Sequence, residues 1–154
     1  MKKFLLLYPI FIAILFLFVY LPTSSFSILL NHFQTDITAW GVSHLLPTKL
    51  MSGHQIIITP HYSLIIEQAC NAMIAILLFL ASIWAYPSSL KRKILFSLIG
   101  YIALTLINIL RIYLVALIVL EDKNNFSLAH DFMGNIILMI GGILLFGVFV
   151  RGKG

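Results

Sequence analysis

ILFSLIGYIALTLINILRIYLVALIVL, residues 94–120, holds one charged side chain, Arg111, in a stretch long enough to cross a bilayer as a helix. A hydrocarbon layer of about 30 Å takes about 20 helical residues, and in lipid a single segment satisfies its own backbone only as a helix. A cation inside such a helix costs about 2.5 to 3.5 kcal/mol and ordinarily faces a bundle interior or a wet cavity. Thr105, Asn108 and Arg111 recur every third residue and lay one polar stripe along the helix. Two structural alternatives exist for Arg111: its guanidinium snorkels to the head groups, or it pairs with Glu67 to hold helices together.

Outward from this segment, residues 4–21, 69–86 and 132–150 are also apolar and of spanning length. The chain has 154 residues, 61% hydrophobic and 10% charged, with a mean hydropathy of +1.06. That is more apolar surface than one soluble core hides. The expected fold is an all-α membrane protein, a bundle of four transmembrane helices forming a single integral-membrane domain over residues 1–154. The first span follows Met-Lys-Lys but is too long for a signal peptide and lacks an Ala-x-Ala site, so it reads as a retained anchor. Lys2 and Lys3, then Lys91, Arg92 and Lys93, then Arg151 and Lys153 flank the ends that alternating spans place together. Basic ends stay in the cytosol, so both termini are expected to be cytoplasmic. The acids Asp36, Glu67, Glu121, Asp122 and Asp131 fall in or beside the opposite, outer segments. The net charge of +5 suits contact with anionic lipid and shows no nucleic-acid groove.

The outer segment 22–68 divides by its periodicity. Over 24–46, Phe26, Leu29, Leu30, Phe33, Ile37 and Trp40 recur at helical spacing, with Ser27, Asn31, Gln34 and Thr38 between them. This predicts an amphipathic helix lying along the outer interface. Past Pro47 and Gly53, the Ile-rich runs 55–59 and 62–66 are parted by Pro60 and His61, the pattern of a short β-hairpin. Residues 121–129 form a polar outer loop and residues 87–93 a tight cytosolic turn.

Counted from the cytosolic ends at about 1.5 Å per residue, Cys70 lies roughly 24 Å up, Arg111 roughly 26 Å and His130 roughly 30 Å. A lone thiol, a guanidinium and an imidazole thus reach one depth from three different helices. A thiol at a helix start beside a cation favours the thiolate, and an imidazole shuttles protons near neutral pH. Each also has a plain reading: Cys70 as a small buried hydrophobe, His130 as an interfacial cap among four other outer histidines, His32, His44, His54 and His61. Glu67, one turn before Cys70, either orients Arg111 or His130 or caps the helix. Asn71 either donates to an oxyanion or caps, and Asn108 shares the stripe of Arg111. Gly134, Gly141 and Gly142 allow close packing in the last span.

Glu67-Gln68-Ala69-Cys70-Asn71-Ala72 at the head of one span, Asn108-Ile109-Leu110-Arg111 within the next and His130 opening the last resemble the exosortase/archaeosortase family of integral-membrane cysteine transpeptidases. The resemblance covers residues 53 to about 142, and Asn71-Ala72 stand where many members carry Ser-Gly. It implies a compact four-span protein-sorting enzyme that cuts the C-terminal sorting signal of secreted proteins. Such a signal consists of a short motif, a transmembrane helix and a basic tail. It also implies that Cys70 is the nucleophile, with Arg111 and His130 completing the catalytic set, and a site at the outer face of the cytoplasmic membrane. The expected thioester passes to water or to an amine acceptor. No cofactor and no metal are expected. The alternative is a non-enzymatic membrane protein that binds metal or a partner through its outer histidine-containing segment.

Overall fold

The computed structural model describes residues 2–22 and 24–152; Lys153 and the Lys2 and Asp131 side chains, used in the charge reading above, lie outside it. Helix α1, Lys2–Leu15, continues as a π-helical turn, Phe16–Tyr20. After a break, α2 covers Ser25–Ser43, started by a reciprocal cap in which Ser24 Oγ accepts from the Ser27 N–H and Ser27 Oγ from the Ser24 N–H. Three short strands follow: β1 Met51–Ser52, β2 Gln55–Thr59 and β3 Tyr62–Ile65. The chain then turns through residues 68–70 into α3, Met73–Ala85, and on to α4, Leu90–Glu121, and α5, Gly134–Arg151.

Four helices meet at the basic end. Phe4 of α1 packs on Tyr86 and Phe146, Lys93 Nζ donates to the Trp84 carbonyl, and Arg92 donates to the carbonyls of Phe149 and Gly152 while lying over the rings of Phe96 and Phe149. The guanidinium thereby caps carbonyls that the end of α5 leaves unpaired. Above it, Ile76, Phe79, Ile83, Leu104 and Phe149 form an apolar cluster between α3, α4 and α5. A second cluster lies toward the other end of α4, where Val115, Ala116 and Val119 meet Ala39 and Val42 of α2 and Ile56, Leu64 and Ile66 of the sheet region.

Three helical segments, Lys3–Tyr20, Leu90–Glu121 and Leu128–Arg151, are long and apolar enough to cross a membrane. The expected span 69–86 is shorter as a helix: α3 has 13 residues, roughly 20 Å, because the chain enters it through a tight turn. The hairpin at Pro60-His61 is present and antiparallel, and Met51–Ser52 adds a third strand across Gly53 and His54, in the order β1-β2-β3. Gly53 sits at φ 60°, a left-handed value that glycine adopts without strain.

The largest departure from expectation is α2. Ser27, Asn31, Gln34, Thr35 and Thr38 are buried, none more than 7% exposed, along with the small Ala39, Gly41 and Val42 near its end, whereas Phe26, Leu29, Phe33 and Trp40 are more than half exposed. The helix is amphipathic as expected, but it turns its polar side inward onto α4 and the turn before α3. An exposed apolar face of this kind suits a lipid environment, where burying polar groups against each other is the favourable arrangement.

Candidate active site

Cys70 does not begin α3. It closes a 3-10 turn, Gln68–Cys70, ahead of the helix, with its backbone N–H bonded to the Glu67 carbonyl at 2.9 Å. Two residues follow before α3. Asn71 is fully buried; its Oδ1 accepts from the Met73 N–H at 2.9 Å, and its Nδ2 reaches the Asn31 carbonyl and Thr35 Oγ1, both at 3.3 Å. Its oxygen thus holds the first N–H of α3, and its donors are committed to α2. Ala72 stands at φ 61°, ψ 9°, a left-handed conformation that costs a side-chain-bearing residue about 1 to 2 kcal/mol. A glycine would occupy it freely.

The turn is clamped from behind by groups that the sequence placed far apart. Gln34 Nε2 donates to the Asn71 carbonyl at 3.1 Å and to Thr105 Oγ1 at 3.2 Å, while Tyr101 Oη donates to Gln34 Oε1 at 2.7 Å. Asn108 Nδ2 donates to the Cys70 carbonyl at 2.8 Å, and Asn108 Oδ1 accepts from Arg111 at 3.2 Å. One polar chain therefore runs from α2 through the Cys70 turn to α4. Gln34, Asn31, Thr35 and Tyr101 were not among the expected site residues. The available signal was the 27-31-34-38 polar spacing, which fits a wet face as well as a buried one.

The three expected residues come together. Cys70 Sγ lies 3.2 Å from His130 Nε2. Arg111, 2% exposed, donates to the His130 carbonyl at 3.1 Å. His130 sits in a π-helical turn, Leu128–Met133, ahead of α5, and its ring stacks on Phe126 with centroids 5.0 Å apart. Arg111 also packs against Gly134; a methyl group there would overlap the guanidinium. Gly141 packs on Ile107, as the close-packing reading expects, but Gly142 meets nothing and opens onto a cavity.

Cys70 lies outside the spanning helices. Burial by itself would raise its thiol pKa, but the His130 hydrogen bond, the Glu67 backbone and the charges of His130 and Arg111 together hold it below its ordinary value. Glu67 neither pairs with Arg111 nor caps a helix: it is exposed, and the one ion pair among the described residues joins His54 to Asp36 at 2.8 Å. No three His, Cys, Asp or Glu side chains among the described residues gather as a metal site would.

Two cavities flank the Cys70 turn. One of about 590 Å³ runs between α1, α3 and α5, from Arg111, Ala72 and Asn135 down past Gly142 to Ser82 and Phe146. Another of about 330 Å³ lies on the other side, toward α2 and the sheet. Gln68 lines both.

A protein-family model described as transmembrane exosortase matches residues 3–147. No curated protein and no solved structure matches the chain.

Proposed function

The chain belongs to the transmembrane exosortase family, an integral-membrane group of transpeptidase type acting in general on secreted proteins with C-terminal sorting signals, and on that premise we propose that Cys70, Arg111 and His130 are its catalytic residues. The observation that carries this reading is the 3.2 Å contact between the thiol and the imidazole, with Arg111 tied to the backbone of one and, through Asn108, to that of the other.

The substrate's hydrophobic helix enters the bundle from lipid and halts with its scissile bond above Arg111, at the outer face of the cytoplasmic membrane. The Cys70 thiolate attacks the carbonyl carbon. Arg111, which lines the larger cavity, stabilises the oxyanion in a water-poor setting. His130 takes the thiol proton and returns it to the leaving amine, whose departure leaves a thioester on sulfur. Stacking on Phe126 holds the imidazole in place, so that little reorientation accompanies each transfer.

The test is processing in cells. Cys70→Ala is expected to leave membrane-anchored precursors with C-terminal hydrophobic tails uncut, while the variant itself accumulates in the membrane at the normal level. Normal processing by that variant would remove the thiol from the mechanism.

A further inference from the structure

The larger cavity is a trough of helical length. On α5 its wall is one stripe at helical spacing, from Asn135 through Gly142 to Phe146, and on α3 it runs from Ala72 to Ser82. Among the described residues α1 contributes only Tyr8. From Asn135 to Phe146 the stripe is roughly 16 Å long, about three helical turns. Arg111, at the outer end beside the Cys70 turn, is the one charged side chain in this wall among the described residues. Below it the lining is mostly apolar, and Met139 and Ile143, 58% and 63% exposed, leave an open lip. Such a trough fits an apolar helix whose outer end reaches Arg111, and it offers no counter-charge to a charged segment farther down.

Gly142 interrupts the wall. A Cβ at Gly134 would overlap Arg111 and one at Gly141 would press on Ile107, so the packing of the chain itself explains those two glycines. A Cβ at Gly142 would meet nothing within 4 Å. The missing side chain leaves a hole that faces the cavity and that no neighbour fills. We infer that Gly142 is a specificity-determining residue, and that its hole receives a large apolar side chain of the substrate's transmembrane helix.

This rests on the catalytic reading above and deepens it, by naming which residue of the substrate is read. A large side chain against a glycine lets two helices approach closely, the kind of packing that joins helices where solvent exclusion contributes little. In the orientation proposed above, the substrate helix and α5 both run from the outer face inward, so their residues count off together. Gly134 touches Arg111. The inserted side chain therefore lies about eight residues inward from the substrate residue beside Arg111.

The test uses the full-length protein in membrane vesicles and a tailed precursor whose helix is built of leucine. Gly142→Leu fills the hole, and kcat/KM for this precursor is expected to fall roughly tenfold, within the range that overpacking costs. Gly147→Leu, at a glycine that also meets nothing but lies outside the cavity wall, should leave it unchanged. Exchanging the substrate leucine at the eighth position for alanine should restore cleavage by Gly142→Leu, and the same exchange two positions away should not. An unchanged rate of Cys70 alkylation by iodoacetamide reports an intact site in both variants. A second measurement needs no turnover. In a Cys70→Ala background, Gly142→Cys supplies the only thiol of the chain. A single cysteine moved along the precursor helix should then form a disulfide most readily near the eighth position. Parental cleavage by Gly142→Leu overturns the proposal. So do rescue and cross-linking that ignore position, the outcome expected if a lipid chain fills the cavity. Cleavage that persists in Cys70→Ala overturns the thioester instead, while the position of the cross-link still decides the seat.

Discussion

Helices α2 and α3 both pack on α4 and both hold the Cys70 turn, yet they are built on opposite plans. α3 is apolar but for Ser82 and buries Ile76, Leu77, Phe79 and Ile83. α2 buries Gln34, Thr38 and Ser27 completely and leaves Trp40 67% and Leu29 68% exposed. Apolar packing beside lipid gains little from solvent exclusion and fixes position mainly by shape. Hydrogen bonds fix it by direction, which suits a strained turn that presents the thiol. The polar helix is therefore placed behind Asn71 and Cys70, and the apolar one forms the wall of the cavity from which a hydrophobic segment would approach.

The strongest way to break this contrast is through Arg111, where α4 meets α5. Gly134→Ala puts a methyl group into the guanidinium, and the expected loss in kcat/KM is about 100-fold, the scale of removing an oxyanion donor. Normal membrane levels and thermal stability in the same variant would locate the effect in the site; unchanged turnover would show that Arg111 need not keep its position.

Next in size is the polar clamp. Gln34→Leu forfeits the bonds to Asn71, Thr105 and Tyr101. At about 0.6 to 1 kcal/mol each in a membrane setting, stability should drop by about 2 kcal/mol. Leu77→Gln in α3 should cost at least as much for the inverse reason, an amide buried without partners. Equal tolerance of leucine and glutamine at both positions, measured by thermal unfolding in detergent, would erase the contrast.

A smaller effect concerns the thiol. Because its pKa is held below the ordinary thiol value, alkylation of Cys70 should reach half-maximum at a lower pH than a free cysteine does. His130→Ala should move that midpoint upward. The sign for stability follows: the folded state is the stronger acid, so this contribution is full above the unfolded pKa and is lost as pH falls through the folded one. A midpoint indifferent to His130 would separate the two groups functionally.

The smallest effects lie at the joints. Ala72→Gly relieves about 1 to 2 kcal/mol of left-handed strain against about 0.4 to 1 kcal/mol of added chain entropy. A rise in stability of about 0.5 kcal/mol is expected, visible as a small increase in Tm. Trp40→Phe on the exposed face of α2 should stay within about 0.5 kcal/mol of the parent.

Most of the helical frame was legible in the residue pattern, since an apolar run with one charge in 94–120 has few alternatives. The same rule pointed to the candidate site: Arg111 stands out where charges are costly, and a lone cysteine and a histidine at similar depth are easily noticed. The direction in which α2 faces was not legible. A 3.6-residue period reports that two faces differ, and says nothing about which meets the protein when the surroundings are apolar. The strand Met51–Ser52 was too short to show alternation, and the 3-10 turn Gln68–Cys70 overlaps the start of the apolar run 69–86, whose composition does not say where its helix begins.

The order of residues alone determined an integral-membrane bundle with its basic groups at one end and a thiol, a guanidinium and an imidazole near one depth. Hydrophobicity and helical rise are local quantities, readable position by position. Only the tertiary structure decided that Cys70 Sγ meets His130 Nε2, that Asn108 joins Arg111 to the Cys70 turn, and that Gln34 holds the turn from behind. Those are directional contacts between elements distant in the chain, and their geometry exists only once the helices have packed.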